Sequence, residues 1–226
     1  MLREIVFDFD GVIANSEPLH FAAFRDVLAD QSIVLTEADY YARYLGYDDV
    51  GVFQAIDAAR GAWAAADIAR LVARKAVRLE ELERHVSVLF PGAADTIRRA
   101  AAAVPIAIAS GALGAEIRRV LEREKLAGCF TAIVAAEDTP RSKPAPDPYR
   151  RAVALLATAC GGTLDAGDCV AIEDSRWGLE SARAAGLRTV AVTSSYEASA
   201  LAGAADLVIR SLESLDLAAL GRLFPA

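Results

Sequence analysis

The chain has 226 residues, of which 54% are hydrophobic and 24% charged, and it carries a net charge of −7. So apolar a chain can bury a sizeable core and is not disordered. The acidic excess argues against a general nucleic-acid binder, because contact with a phosphate backbone needs a basic surface.

In chain order, the first element is the apolar run "EIVFDF" at 4–9, which carries Asp8 and is followed by Asp10 and Gly11. Strand alternation places residues two apart on one side. Two carboxylates there require either a cation between them or a proton on one of them. From about 16 to 83 every periodic stretch reads as helix: 19–29, 37–46, 50–59 and 66–84. The tyrosines at 40, 41, 44 and 47 form a stripe that reads first as core and second as a substrate platform.

After Pro91-Gly92 the pattern changes to strand alternating with helix. Apolar runs stand at 105–110, 131–136, 169–173, 188–193 and 206–210, and helical stretches at 93–103, 113–126, 147–159 and 177–186. Short, continuously apolar runs suit strands covered on both faces, and their alternation with helices indicates βαβ units. Asp147-Pro148 starts a helix, and Gly128 and Gly186 follow helical runs as stop signals. The expected fold is α/β, a doubly wound, mostly parallel sheet formed by residues 1–15 and 86–226, with residues 16–85 inserted as a helical cap. The insertion leaves just after the first strand, so it is expected over the carboxyl ends of the strands, where open α/β sheets bind ligands.

No run of 18 or more uncharged apolar residues is present, and Asp8 and Asp10 interrupt the place of a secretory signal, so a cytoplasmic protein away from membranes is expected. A monomer or weak homodimer is expected. Cys129, Cys160 and Cys169 are odd in number and lack Cys-x-x-Cys spacing, which fits buried, reduced thiols rather than a disulfide framework or a cysteine zinc site.

The strand ends carry Asp8 and Asp10, Ser110-Gly111, Lys143 in "EDTPRSKPAPDP", and Glu173-Asp174 in "CVAIEDS". Taken alone, Asp10-Gly11 is ordinary turn chemistry. A parallel sheet, however, gathers all four loops at one edge. Carboxylate oxygens clustered with open positions suit Mg²⁺, which prefers a few carboxylates plus substrate phosphate oxygens. A screened Asp8 could attack phosphorus, and Asp10 could protonate the leaving oxygen and then deprotonate water. Lys143, the Ser110 hydroxyl and the Gly111 N–H are candidate donors to the phosphoryl oxygens.

Four motifs, "FDFDGV" at 7–12, "IASG" at 108–111, "SKPAPDPY" at 142–149 and "IEDSRWGLESARAAG" at 172–186, stand in the order found in the haloacid dehalogenase superfamily. Across nearly its whole length the chain resembles the helical-cap phosphohydrolases of that superfamily, the beta-phosphoglucomutase and small sugar-phosphatase group. The resemblance implies a Rossmann-like core and a Mg²⁺-dependent phosphatase acting on a small phosphorylated metabolite. It implies Asp8 as nucleophile and metal ligand, Asp10 as acid/base with its backbone carbonyl on Mg²⁺, and Ser110 and Lys143 on the phosphoryl group. It further implies Asp174 as a metal ligand, with Glu173 a direct or water-mediated one.

In the cap the resemblance implies that Ser16, His20 and Lys75 sense closure and that Gly46 opens a substrate loop. Read by themselves, His20 is a helix-face histidine, Lys75 belongs to a solvated face, and Trp177 packs its helix. The loop "YLGYDDVGVF" has Asp48 and Asp49 where the mutases carry an arginine for a second phosphate. Carboxylates there would repel that phosphate, which weighs against a phosphohexomutase. The mutase remains the alternative, and a non-catalytic phosphate-binding or regulatory domain is the alternative of another class.

Overall fold

The computed structural model describes residues 2–44, 47, 49–58, 61–84 and 86–224. The chain begins with β1 (Glu4–Phe7) and continues through four helices, α1 (Glu17–Ala29), α2 (Glu37–Arg43), α3 (Asp49–Asp57) and α4 (Ala65–Glu83). There follow α5 (Ala93–Ala103), β2 (Ile106–Ala109), α6 (Gly114–Arg123), β3 (Ala132–Val134), α7 (Asp147–Ala159), β4 (Cys169–Glu173) and α8 (Arg176–Ala184). The chain closes with β5 (Arg188–Val192), α9 (Ala198–Leu201), β6 (Leu207–Ile209) and α10 (Leu217–Gly221).

The described residues divide into two units, one running up to Asn15 and resuming at Leu89, the other Ser16–Val88. In the first, the six strands lie in the order β3-β2-β1-β4-β5-β6, every pairing parallel. This is a doubly wound sheet whose order reverses between β1 and β4, the switch point where such sheets bind ligands. β1, β2 and β4 are buried along their whole length, which explains their unbroken apolar runs. The alanines of β2 let α7 approach closely, so that Tyr149, Ala152 and Leu156 pack with Val6, Ala107, Ala109 and Ala171.

The second unit has a core of its own. Phe24, Val27 and Leu28 of α1 meet Tyr40 of α2, Val52 and Phe53 of α3, and Leu71 of α4. Fully burying each phenylalanine is worth about 1.5–3 kcal/mol. The Phe24 and Phe53 rings meet edge to face at 5.3 Å. Thr36 caps α2 by accepting the Asp39 N–H at 3.1 Å, a contact worth roughly 0.5–2 kcal/mol. Of the tyrosine stripe, Tyr40 is buried, while Tyr41 and Tyr47 are exposed, so only part of it is core.

Several local expectations change. The helix predicted to 126 ends at Arg123, and Lys125 takes the left-handed turn with φ 56°, so Gly128 is not its stop signal. Trp177 is 61% exposed: α8 buries Gly178, Leu179, Ser181 and Ala182, and the indole lies off that stripe. Cys169 is buried and Cys129 half-buried, but Cys160 is exposed, because it follows the last turn of α7. No helix among the described residues is long and apolar enough to cross a membrane.

Candidate active site

β1 stops at Phe7, so Asp8 and Asp10 both stand beyond it and strand alternation does not govern them. The Asp8 N–H still donates to the Ile172 carbonyl at 2.9 Å, continuing the register with β4. The Asp8 carboxylate accepts the Phe9 N–H at 2.7 Å. Phe9 is buried, and Gly11 turns the chain with φ 76°. The half-buried Asp10 pairs by a backbone bridge with Ala14.

At the neighbouring strand end, Glu173 closes β4 and Asp174 follows it. Asp8, Glu173 and Asp174 are all buried, and each offers an oxygen within 4.8 Å of the others, a grouping able to hold a metal ion. Lys143 reaches into it, with its Nζ 2.8 Å from Asp8 Oδ1 and 2.6 Å from Glu173 Oε1. The loop bearing Lys143 is pinned by the Ser181 hydroxyl, which donates to the Ala145 carbonyl at 2.5 Å.

Three carboxylates face one ammonium, and the electrostatics show the imbalance. Burial, then the charges of Glu173 and Asp174, hold the Asp8 carboxyl well above its ordinary range, with Lys143 opposing. Asp174 is pushed up to about 6 by burial and by Glu173, against the Ser195 hydroxyl. Burial favours the neutral amine of Lys143, but Asp8 and Glu173 outweigh it and hold the group above its usual range. A divalent cation among these hard oxygens relieves the same crowding that otherwise favours protonation, so the donor set fits Mg²⁺.

Within the trio the carboxylates are not equivalent. Glu173 is fully buried, and both of its oxygens are engaged. Oε1 accepts from Lys143 at 2.6 Å and from the Tyr149 hydroxyl at 2.8 Å. Oε2 accepts from the Asp174 N–H at 3.1 Å and from the Ser175 N–H and hydroxyl at 3.3 and 3.1 Å. A Cβ at residue 178 would fall 1.8 Å from Glu173 Oε1. The glycine of "EDSRWG" therefore leaves room for this carboxylate, which anchors Lys143 and the turn after β4.

Ser110 stands one residue past β2 and is buried. Its Oγ accepts the Ala112 N–H at 3.0 Å, which shapes the turn, and Gly111 beside it is exposed, with open space where a side chain would point. Sequence reasoning missed the partners of these groups. Tyr149 lies inside a quoted motif, but nothing in the sequence shows its hydroxyl reaching Glu173. Ser194 and Ser195 follow β5, a strand end with no charged residue to mark it, and their hydroxyls reach the Gly11 carbonyl and Asp174 Oδ2. Arg141, in the loop that bears Lys143, is exposed and pairs with Asp147 at 2.9 Å.

In the helical unit, Lys75 is only 1% exposed and not on a solvated face. Its Nζ lies 2.7 Å from Asp49 Oδ1, 2.9 Å from His20 Nδ1 and 4.8 Å from the Phe24 ring centroid. An ammonium only donates, so in this contact His20 Nδ1 is the acceptor. Ser16 precedes α1 and is buried. Gly46 and Asp48 lie outside the described residues.

The model of the haloacid dehalogenase-like hydrolases matches residues 5–192. Protein CbbY of Rhodobacter capsulatus is 35% identical over 204 residues, covering 86% of this chain and 87% of that protein. Hexitol phosphatase B of Escherichia coli strain K12 is 28% identical over 190 residues, 83% of this chain and 82% of that one. The crystal structure of CbbY from Rhodobacter sphaeroides in complex with xylulose 1,5-bisphosphate superposes with a TM-score of 0.79 at 26% identity, covering 97% of this chain and 99% of that one. The chain belongs to the haloacid dehalogenase-like hydrolase family, and its phosphatase-named relatives support a phosphoric monoester hydrolase.

Proposed function

We propose that this hydrolase releases phosphate from a small phosphorylated sugar or polyol, with Mg²⁺ and by way of a phosphorylated Asp8. The observation that carries the reading is the buried group of Asp8, Glu173 and Asp174 around Lys143 at the end of β1 and β4. A sugar-like substrate is supported by the hexitol phosphatase and by the bisphosphate-bound CbbY among the similar proteins.

Asp8 and Asp174, with the backbone carbonyl of Asp10, would hold Mg²⁺, and Glu173 would stand behind them through Lys143 and the β4 turn. Bound there, the ion would lower the negative charge on carboxylates and phosphoryl oxygens alike. Asp8 attacks phosphorus as its bond to the ester oxygen breaks, and Asp10 gives that oxygen a proton. Lys143 stays charged throughout and offsets charge on Asp8 and the equatorial oxygens. The Ser110 hydroxyl and the Gly111 N–H donate to those oxygens. Asp10 then takes a proton from the water that attacks the phosphorylated Asp8, which frees inorganic phosphate and restores the carboxylate. Residues 16–85 would serve as the cap that selects the substrate and limits water.

Phosphate release from a panel of hexose, pentose and hexitol phosphates, with Mg²⁺ and with chelator, tests this. Activity should vanish with chelator and return with Mg²⁺. Asp8→Asn should cost on the order of 10⁴-fold or more in kcat with the folded state intact. Undiminished turnover by that variant would refute the phosphorylated aspartate. Conversion of glucose 1-phosphate to glucose 6-phosphate without free phosphate would instead support the mutase.

A further inference from the structure

Beyond the four strand ends that carry the candidate catalytic groups stands the turn "TSSY" at 193–196 after β5. In the sheet β4 lies between β1 and β5. The Ser194 hydroxyl donates to the Gly11 carbonyl, so the loops of β1 and β5 are joined across the end of β4. Asp174, the residue after β4, lies under that join. Its Oδ2 accepts from the Ser195 hydroxyl and occupies the place of the side chain that Gly11 lacks, since a Cβ there would fall 1.9 Å from it. One carboxylate oxygen is thus confined between a glycine and a hydroxyl, and glycine and hydroxyl are tied to each other by the neighbouring serine.

We propose that Ser195 is a positioning residue of the active site: it fixes the Asp174 carboxylate in the orientation that ligates a divalent cation, with Ser194 holding the Gly11 turn against it. The inference rests on the metal reading of the proposed function. A hydroxyl donating to one oxygen sets the rotation of the carboxylate and leaves the other oxygen to a metal ion. Partners of this kind, one step behind the ligands, typically change metal affinity by about 10–100-fold when removed. Ser195 acts through Asp174, so its removal should act on the ion first.

The test compares full-length wild type, Ser195→Ala, Ser195→Thr and Ser194→Ala. Mg²⁺ affinity is read by calorimetry without substrate, and hydrolysis of p-nitrophenyl phosphate is followed across Mg²⁺ concentrations. Ser195→Ala should bind Mg²⁺ about 10-fold or more weakly. At saturating Mg²⁺ its KM should be close to wild type. Ser195→Thr keeps the hydroxyl and should restore the affinity, while Ser194→Ala should lose less than Ser195→Ala. Wild-type or tighter Mg²⁺ binding by Ser195→Ala overturns the inference alone, and so does an equal loss in Ser195→Thr. No uptake of Mg²⁺ by wild type overturns the metal reading, and the inference with it.

Discussion

Each unit of the molecule holds one largely enclosed lysine, and the two are balanced differently. Lys75, in the helical unit, has one carboxylate at 2.7 Å and one imidazole nitrogen at 2.9 Å. Lys143, at the edge of the sheet, has carboxylates at 2.8 and 2.6 Å and a third acid, Asp174, in the same group. The first set matches one ammonium with one carboxylate. The second is short of positive charge, and it raises Asp8 and Asp174 above the ordinary carboxylate range, by burial first and by Glu173 next. A buried ion pair that balances needs nothing further, whereas one with surplus acid calls for a proton or another cation. Burial of a lysine is therefore no sign of a site by itself; the mismatch around it is.

The comparison can be tested most severely at Lys143. Lys143→Met leaves three buried carboxylates without their ammonium, and kcat should fall by about 10²–10³-fold or more, as for loss of an oxyanion donor. The same variant should gain more thermal stability from added Mg²⁺ than wild type does, since the ion then carries the whole compensation. No difference between the two proteins in that Mg²⁺ response would contradict the charge deficit.

A smaller effect is expected at Asp49. Asp49→Asn leaves Lys75 buried beside a neutral amide, and because Asp49 is 31% exposed the loss in urea unfolding should be about 1–3 kcal/mol rather than the larger figure for a fully buried pair. Mg²⁺ affinity should not change. Smallest of all, Lys75→Met places an apolar side chain of similar length against Phe24, with no ammonium left to satisfy, and stability should stay within about 1 kcal/mol of wild type. A loss as large as that of Asp49→Asn would mean that the pair contributes net stability and is not merely compensated.

Much of the sheet was legible because a parallel strand covered on both faces must be apolar throughout, and each of the six runs contains a strand of the structure. That the acids and the lysine of the site come together was legible for a related reason. Asp8, Lys143, Glu173 and Asp174 interrupt or follow apolar runs, where a charge has no structural use. The hydroxyl partners were not. Ser194, Ser195 and the Tyr149 phenol are unremarkable in composition, and only the fold shows that they end on Gly11, Asp174 and Glu173. Lys75 and Trp177 were misread in opposite directions, one placed in solvent and the other in the core. A residue's type gives its average environment, whereas its face on the helix and the neighbours of that face give the real one.

The sequence by itself determined the alternation of strand and helix, the helical interruption after β1, and which residue types stand at the strand ends. Those features follow from local rules: hydrophobic period, turn chemistry and the cost of burying a charge. Only the tertiary structure decided how the charges are shared. It set Lys143 between Asp8 and Glu173, directed both Glu173 oxygens inward into the space left by Gly178, and enclosed Asp174 between Gly11 and Ser195. Contacts between residues as far apart in the chain as Asp8 and Lys143, or Gly11 and Asp174, depend on strand order and register, which no local pattern encodes.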